Sequence, residues 1–303
     1  MATNFAELKR SRNKDLEKLT SEVTKLNSKE DGKKSYEDTR FWKPVVDKAG
    51  NGFAVLRFLP APEGEDMPWV QLFSHSFQGP TGQWYIENSL TTLNKKDPVS
   101  EYNTQLWNSG NDSDKDVARK QKRKLSYIAN VYVVKDPANP DNDGKVFLFK
   151  FGKKIFDKLN DLMNPEFEDE TPVNPFDLWE GANFKLKIRK VEGYQNYDKS
   201  EFDTAGALSE DDDDLERIWK SEYKLQEFLE EKNFKTYDEL KAKLNKVLGL
   251  DGGEPVSKPA GPAVRATESE APKATAKKPT AESASWNDDD DENLSYFEKL
   301  AED

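Results

Sequence analysis

The chain has 303 residues, a formal net charge of −12, and 35% hydrophobic against 34% charged residues. Its 17 Phe, 10 Tyr and 7 Trp are too many for a fully disordered protein, and the length suits one large domain or two ordinary ones. The lack of cysteine excludes disulfides and thiolate zinc sites, and the single histidine, His75, excludes a two-histidine metal centre. No apolar run reaches the ~20 residues that span a bilayer, and the start lacks a secretory signal, so we expect a soluble intracellular protein without membrane contact.

The first 35 residues are polar, with apolar residues at helical spacing, and Lys9, Arg10, Ser11 and Arg12 place three basic residues in four positions. We predict a basic N-terminal arm over residues 1–35, followed by a folded core over residues 36–250.

Turn signals divide the first part of the core. Gly50-Asn51-Gly52 between two apolar runs predicts a hairpin whose second strand is AVLRFLP, and Gly79-Pro80-Thr81-Gly82 predicts the turn of a second hairpin. The polar residues 94–118 predict a long loop that includes Trp107.

Further strands are predicted at Leu125–Val134, Lys145–Phe151 and Asn183–Val191, and a helix at residues 152–163. The alternating Lys185, Lys187 and Arg189 predict one positively charged strand face. A helical stretch is predicted over residues 215–250.

The end of the chain has a different composition. Residues 251–285 are rich in Pro, Ala, Ser and Lys, which predicts a flexible linker, and residues 286–303 form an acidic tail with a net charge of −7. By contrast, residues 119–158 hold eleven Lys/Arg and four Asp/Glu, a local net charge of +7.

A basic, strand-rich segment interleaved with aromatic residues suits single-stranded nucleic acid, because cations follow the phosphates and exposed rings stack on unpaired bases. The candidate cations are Lys122, Arg123, Lys124, Lys150, Lys153 and Lys154, and the candidate stacking rings are Trp107, Tyr127, Tyr132, Phe149, Tyr194 and Tyr197. For any one strand aromatic, burial in the core is the commoner alternative. Tyr194 and Tyr197, in the Gly/Asn-rich GYQNYD, are better candidates for exposure.

Several segments, in order, resemble the helix-destabilising, single-stranded DNA-binding proteins of T-even-type bacteriophages. They are GNGFAVLRFLP, GQWYIENS, RKLSYIANVYVVKDPANPDNDGKVFLFKFGKKIFDKLN and WEGANFKLKIRKVEGYQNYDKSEF, and together they cover roughly residues 40–203. The resemblance implies a mainly β fold with α additions (α+β). Its parts are an OB-fold core, an adjoining small subdomain at about residues 65–120, the basic arm and a disordered acidic tail.

The resemblance also implies a function. The protein would be no enzyme but would coat single-stranded DNA cooperatively and without sequence preference, in phage DNA replication, recombination and repair, in the cytoplasm of an infected bacterial host. Lys9–Arg12 resembles the motif that contacts the neighbouring protomer, although Arg12 stands where the family has a second hydroxyl residue.

Individual positions follow from the same resemblance. Lys122–Lys124 match the internal basic motif, Arg57 and Tyr127 match an arginine and a tyrosine of the DNA-binding surface, and Phe149 with Lys150 replaces a tyrosine–arginine pair. With Trp107, the predicted single-strand contacts are Arg57, Trp107, Lys122, Arg123, Lys124, Tyr127, Phe149, Lys150, Tyr194 and Tyr197.

The family's zinc site, one His and three Cys, is where the sequence departs from the pattern. His75 remains, but Ser89, Asp97 and Ser100 stand at the cysteine positions, and hydroxyls and a carboxylate are poor replacements for thiolates. We therefore predict no zinc and no other cofactor, with a subdomain held by packing of Trp69, Phe73, Trp84 and Tyr85.

The acidic runs Asp211–Asp214 and Asp288–Asp291 lack the spacing of a calcium loop and are expected to be solvated. The tail can compete with DNA for the basic surface. Its apolar residues at helical spacing can also bind replication and recombination proteins, as the family's tail does. The tail residues predicted to make these contacts are Asp288, Asp289, Asp290, Asp291, Leu294, Phe297 and Leu300.

Two alternatives from other classes stay open. A metal-dependent nuclease is disfavoured because no strand pairs carboxylates in a basic setting and no phosphate-binding glycine loop is present. RNA binding, as a translational repressor, is compatible with an OB-type surface.

Overall fold

The computed structural model describes residues 38–167 and 169–250, and the predicted arm, linker and tail lie outside these residues. The chain divides into two units, Met1–Arg40 and Phe41–Asp303. The described part of the first unit is residues 38–40, where the Arg40 guanidinium pairs with the Asp38 carboxylate at 2.7 Å. Everything that follows concerns the second unit.

The described part of this unit contains nine strands and five α-helices. The strands are β1 (Phe41–Trp42), β2 (Gly52–Phe58), β3 (Trp69–Gln78), β4 (Trp84–Asn88), β5 (Lys124–Lys135), β6 (Val146–Phe151), β7 (Phe184–Val191), β8 (Tyr194–Asn196) and β9 (Glu201–Phe202). The helices are α1 (Pro98–Asn108), α2 (Asp112–Gln121), α3 (Lys153–Met163), α4 (Asp212–Lys220) and α5 (Tyr237–Leu248). Short 3-10 turns lie at Leu90–Leu93, Pro140–Asn142, Gln226–Leu229 and Glu231–Asn233.

The sheet is organised around β5, its longest strand. On one edge β5 pairs with β3 through its first half and with β2 through its second half, and on the other edge it pairs with β6, all antiparallel. β2 continues the sheet to β7, which pairs with β8 and β9. The sequence therefore correctly predicted a mixed fold with a largely β core.

The main core lies on one face of this sheet and is largely aromatic. Because side chains alternate along a strand, every second residue of β2, β5, β6 and β7 points into it. Phe58 contacts Phe149, Phe151, Phe176 and Phe184 with ring centroids 5.4–6.4 Å apart. α3 closes this core with the buried Ile155 and Leu159.

The far ends of β3 and β4 enclose a second, smaller cluster with α1 and α5. Phe77 stacks on Tyr85 at 5.1 Å, and Val99, Leu240, Leu244 and Val247 complete the cluster. α5 lies so close to the β3–β4 turn that a Cβ on Gly79 would be 2.3 Å from the Val247 carbonyl oxygen. Thr81 Oγ1 donates to the same oxygen at 2.6 Å. Glycine at position 79 is therefore needed for this contact.

The opposite face of β3, β5 and β6 is covered by the segment that follows α4. Leu225 is fully buried there with Val70, Leu72, Ile128 and Leu148. The buried Asn130 fixes this segment, because its side-chain amide donates to the Tyr223 carbonyl and its oxygen accepts from the Tyr223 N–H.

Most local predictions from the sequence are confirmed. The turn at Gly79–Gly82 joins β3 and β4, and the strands predicted around residues 125–134, 145–151 and 183–191 and the helix around residues 152–163 are present. The predicted helical stretch 215–250 consists of two helices separated by two 3-10 turns.

The predicted hairpin at Gly50–Gly52 is wrong, although its second strand exists as β2. β1 pairs in parallel with β6 instead, because Trp42 is buried against Phe149 and its indole N–H donates to the Asp136 carboxylate at 2.9 Å. The turn itself forms, with the Gly50 N–H donating to the Asp47 carbonyl at 2.9 Å, but residues 43–47 before it form no strand.

The predicted loop over residues 94–118 is also wrong, because α1 and α2 occupy most of it. Each helix begins at a capping side chain, since Asp97 accepts from the N–H groups of Val99 and Ser100, and Asn111 accepts from that of Ser113. The helices are polar because few of their side chains are buried, among them Val99 and Ala118. The sequence therefore lacks the helical spacing of apolar residues that would have predicted these two helices.

Candidate nucleic-acid interface

The predicted basic run, Lys122–Lys124, lies at the junction where α2 ends and β5 begins. Arg119 and Lys120 occupy the last turn of α2, where positive charge complements the helix dipole, and Lys122 follows as its C-cap. The junction therefore concentrates basic side chains at one end of β5.

Cations at this junction and in α2 lie over aromatic rings. The Arg123 guanidinium carbon is 4.1 Å from the centre of the Phe73 ring. Over the Trp107 ring of α1, Lys115 Nζ lies at 5.7 Å and the Arg119 guanidinium carbon at 5.4 Å. A cation above a ring is attracted by the ring quadrupole, which does not neutralise its charge. Arg119 also pairs with the Asp116 carboxylate at 2.6 Å.

A line of aromatic residues continues from this junction, all partly exposed except the buried Tyr127. Trp69 and Phe73 share one face of β3 with Gln71, and the pairing register sets Gln71 opposite Tyr127 and Phe73 opposite Leu125. The α3 residue Phe156 stacks on Tyr127 with ring centroids 4.0 Å apart and contacts Trp69 at 5.4 Å. We call Trp69, Phe73, Tyr127 and Phe156 the aromatic face.

Three members of this face were missed as binding candidates. Trp69 and Phe73 were expected only to hold the subdomain, and Phe156 was not singled out. All three side chains are partly exposed. Trp69 also packs on Phe156 and Phe176, at the edge of the main core. The alternation of Trp69, Gln71 and Phe73 was the available signal, because it sets them on one strand face. Trp84, also expected to pack, is 50% exposed on β4.

The rings predicted to stack on bases have different environments. Tyr127, Phe149 and Tyr197 are all buried, at 5%, 1% and 7% exposure, and burial raises the pKa of the Tyr197 hydroxyl to about 12. Their burial argues against direct stacking, because a base would first have to displace their neighbours; contact with DNA by these rings stays a prediction. Trp107 is partly exposed, and Tyr132 packs beside Leu59 and Trp219.

Arg57 and Lys150 lie away from the basic junction. Arg57 is 1% exposed, and its guanidinium donates to the carbonyls of Leu178 and Gly206, which connects two loops. Burial lowers the pKa of Arg57, and the nearby Asp177 carboxylate opposes this. Lys150 lies beside Ile128 on the strand face opposite to Phe149, and burial lowers its pKa. DNA contact by either side chain stays a prediction.

Tyr194 is 50% exposed at the β7–β8 turn, where Glu192 and Gly193 adopt positive φ angles of 52° and 93°. The three β7 cations beside it do share a face, as predicted, but each is paired with a carboxylate. Lys185 contacts Asp203 at 2.8 Å, Lys187 contacts Glu201 at 2.6 Å, and Arg189 forms two hydrogen bonds with Asp198. This face is therefore close to neutral, which corrects the prediction of a positively charged strand.

At the other end of the aromatic face, Lys153 and Lys154 open α3 beside Phe156. Lys153 Nζ lies 2.9 Å from the Asp157 carboxylate within the same helix, an exposed pair of the kind that contributes little to stability.

His75 lies at the centre of a buried polar cluster. Its Nδ1 is 2.8 Å from the Gln121 carbonyl oxygen, and its Nε2 is 3.4 Å from Asp97 Oδ1. Asp97 Oδ2 accepts from Ser89 Oγ at 3.0 Å and from the Leu90 N–H at 3.1 Å. Of the three positions suspected from the sequence, Asp97 faces His75, and Ser89 and the Ser100 N–H bind the Asp97 carboxylate.

Opposing effects determine the charge of Asp97. Burial, the largest single influence, raises the pKa of this carboxyl, but the His75 ring and the N–H groups of Ser100 and Leu90 outweigh it and bring the pKa to about 2. The cluster thus contains a carboxylate whose charge is balanced by hydrogen-bond donors.

The family model described as gp32 DNA binding protein like matches residues 50–248. The chain belongs to this family. Single-stranded DNA-binding proteins of Enterobacteria phages T2 and T4 are 41% identical to it over 243 and 241 residues, which are 78% and 77% of this chain and 78% of each relative. A single-stranded DNA-binding protein of Escherichia phage SV14 is 39% identical over 102 residues, 32% of this chain and 88% of that protein.

The zinc that the gp32-like family implies does not fit the His75 cluster. The oxygens of Asp97 already accept four hydrogen bonds from protein donors, and the other two positions offer only hydroxyls. Zn²⁺ prefers thiolate and imidazole ligands in a tetrahedron. Within residues 38–167 and 169–250, no group of three His, Cys, Asp or Glu side chains could hold a metal ion.

The remaining predicted contacts of this gp32-like chain lie outside the described residues: Lys9–Arg12 of the arm, and Asp288–Asp291, Leu294, Phe297 and Leu300 of the tail. In the part of the chain that the structure describes, no helix is both long and apolar enough to cross a bilayer.

Proposed function

We propose that this protein binds single-stranded DNA without sequence preference and without catalysis, through the α2–β5 junction and the aromatic face. The contact that carries the proposal is the Arg123 guanidinium over the Phe73 ring, because it sets a phosphate-binding cation beside a partly exposed stacking ring. The names of the T2 and T4 relatives support the same ligand.

The proposed path runs from Trp107 and the α2 cations, across Arg123 and Phe73, to Phe156 and the lysines that open α3. Phosphates follow the cations at both ends, and bases stack on the rings between them. Duplex DNA offers no open base faces and gains little from such rings, so binding to the single strand lowers duplex stability by mass action.

The surrounding features complete the proposal. The β2–β3–β5–β6–β7 sheet closed by α3 is proposed to be an OB-fold, with the β3–β4 hairpin, α1 and α2 as the adjoining subdomain. The arm residues Lys9–Arg12 link neighbouring protomers and make binding cooperative. The protein then coats and protects single strands in phage DNA replication, recombination and repair, in the cytoplasm of an infected bacterium.

The acidic tail is proposed to compete with DNA and to recruit replication and recombination proteins. Its net charge of −7 opposes the basic segment, and the 35-residue linker gives it a reach of roughly 30 Å. Deleting residues 286–303 is expected to increase affinity for single strands at low salt. Unchanged affinity and salt slope would rule out tail competition.

The first test is a titration of tryptophan and tyrosine fluorescence with single-stranded DNA, duplex DNA and RNA of matched sequence at several salt concentrations. The proposal expects quenching by the single strand, weak binding to the duplex, and a log–log salt slope of about −0.7 per phosphate contacted. Equal binding to both DNA forms would contradict it, and preference for RNA would favour the RNA-binding alternative.

A further inference from the structure

The Asp97 carboxylate connects the turn that follows β4 to the start of α1. Its Oδ1 accepts from the N–H groups of Val99 and Ser100 and so caps the start of α1 at 3.0 and 3.1 Å. Its Oδ2 accepts from Ser89 and Leu90, which follow β4. A single side chain at 2% exposure therefore fixes how α1 leaves the β3–β4 hairpin.

His75 extends this connection to the end of α2. From β3, its Nε2 faces Asp97 and its Nδ1 faces the carbonyl oxygen of Gln121, the last residue of α2. Asn103 of α1 donates to the same carbonyl at 3.2 Å. The cluster therefore ties β3, α1 and the end of α2 to one another.

The position of these ties matters for the proposed binding surface. Gln121 immediately precedes Lys122–Lys124, and Arg123 lies over Phe73, two residues before His75 on β3. α1 and α2 also carry Trp107 and its two cations. A shift of Gln121 would therefore move the cations and rings that a bound DNA strand has to contact at the same time.

We propose that Asp97 and His75 are positioning residues for DNA binding, and that their hydrogen-bonded cluster performs without metal the role that a zinc ion has in the family. The DNA readout of this inference rests on the proposed function, but its stability and metal readouts do not. The donors Ser89, Leu90, Val99 and Ser100 surround Asp97 as ligands would surround an ion, which makes the carboxylate the centre of the cluster.

The first experiment compares Asp97→Ala with Ser100→Ala. The Ser100 hydroxyl has no hydrogen-bond partner among the described residues, and the alanine keeps the backbone donor, so this control tests the loss of a nearby polar group alone. Asp97→Ala is expected to weaken binding to oligo(dT) about tenfold, because it removes hydrogen bonds to a charged acceptor, and Ser100→Ala to change it little.

The salt slope separates positioning from simple loss of folded protein. At a temperature where circular dichroism shows Asp97→Ala to be folded, the variant is expected to contact fewer phosphates and to show a shallower slope. His75→Gln should show a smaller change of the same sign. An unchanged slope and affinity in folded Asp97→Ala would overturn the inference.

The second experiment uses metal. The wild-type protein is expected to purify without stoichiometric zinc and to keep its melting temperature in EDTA. The triple variant Ser89→Cys, Asp97→Cys, Ser100→Cys restores a His–Cys₃ set around the same point, so it should be destabilised in EDTA and recover when one equivalent of Zn²⁺ is added. Its Co²⁺ complex should show thiolate charge-transfer absorption.

Each outcome is informative. Stoichiometric zinc in the wild type would overturn the metal-free assignment, and a triple variant that does not bind added Zn²⁺ would overturn the claim that the cluster takes the place of the family's zinc site. If the wild type bound no single-stranded DNA, the proposed function would be wrong, but the inference that Asp97 positions α1 and α2 would still be open to test. The inference about Asp97 would then be decided by hydrogen exchange in residues 98–121, which should increase in Asp97→Ala but not in Ser100→Ala.

Discussion

The β7 strand and the α2–β5 junction each carry three adjacent or alternating cations, but the structure treats the two groups differently. Lys185, Lys187 and Arg189 on β7 lie against the carboxylates of residues 198–203. At the junction, Arg123 lies over the Phe73 ring, and Lys115 and Arg119 of α2 lie over the Trp107 ring. Arg119 also pairs with the Asp116 carboxylate of the same helix at 2.6 Å.

The difference lies in what a phosphate would have to replace. On β7 a phosphate competes with a carboxylate that already holds the cation, whereas over a ring the cation can accept a phosphate and keep its ring contact. Equal numbers of basic residues therefore predict unequal contributions to nucleic-acid binding.

The largest expected effect is on the junction itself. The triple variant Lys122→Ala, Arg123→Ala, Lys124→Ala should lose on the order of 100-fold in affinity for oligo(dT) at low salt, and its log–log salt slope should become shallower by about two, since three phosphate contacts are removed. Fluorescence titration at several salt concentrations measures both quantities.

The matched control is Lys185→Ala, Lys187→Ala, Arg189→Ala, which removes the same charge from β7. It should change affinity by less than about threefold, because these cations are held by carboxylates and are not expected to contact phosphate, and the three carboxylates left behind act on the strand only through screened repulsion. If the two triple variants lost affinity equally, overall charge would govern binding and the comparison would be wrong.

A buried carboxyl group without a hydrogen-bond partner or a cation beside it should be protonated and neutral, and Glu222 is the test case because neither of its carboxyl oxygens has a hydrogen-bond partner among the described residues. Burial raises its pKa to about 9, with Glu65 adding to the shift and Asn130 opposing it. The unfolded chain ionises near 4.5, so stability falls as the pH rises from about 4.5 to about 9. Glu222→Gln should therefore be more stable than the wild type at pH 8 by on the order of 2 kcal/mol.

Thermal or urea unfolding of both proteins at pH 5 and pH 8 measures this difference, which should nearly vanish at pH 5. If Glu222→Gln differed from the wild type by the same free energy of unfolding at pH 5 and at pH 8, the Glu222 carboxyl would not be protonated in the folded protein.

A smaller effect is expected from the ring beneath Arg123. Phe73→Leu keeps an apolar side chain but removes the stacking face, and should weaken oligo(dT) binding about fivefold, or ~1 kcal/mol. Phe53→Leu is the control, because Phe53 is an exposed ring on β2, opposite Lys187 of the neutralised β7 face. If both variants lost the same affinity for oligo(dT), Phe73 would not be a specific stacking contact.

The smallest expected effect concerns Tyr194, the exposed ring beside the paired β7 cations. Tyr194→Ala should weaken binding about threefold, less than the ~1 kcal/mol expected at least for a fully stacked base, because the cations beside it are paired with carboxylates. A loss as large as that of the junction variant would move the binding surface towards the β7–β8 turn.

Predictions from the sequence succeeded where the deciding pattern was local. The strands around residues 125–134 and 183–191 and the helix at residues 152–163 were found because alternation and helical spacing are properties of short segments. α1 and α2 were missed because their capping residues, Asp97 and Asn111, also favour turns, and their buried faces are narrow.

The candidate site was predicted less completely. The basic run was located, but Tyr127 and Phe149 were expected to serve as stacking rings and are buried in the core, while the partly exposed Phe156 was overlooked. Which face of a strand is covered depends on elements far away in the chain, so composition and spacing could not sort these rings.

By itself the sequence determined the family, the separation of a basic centre from an acidic C-terminal end, the main strands, and the loss of the thiolates that zinc would need. Only the tertiary structure decided which cations face carboxylates, which rings are partly exposed, and that Asp97 lies between His75 and Ser89. The reason is physical: charge and backbone preference are local properties, whereas burial and pairing join residues that are distant in the chain, such as Phe73 and Arg123.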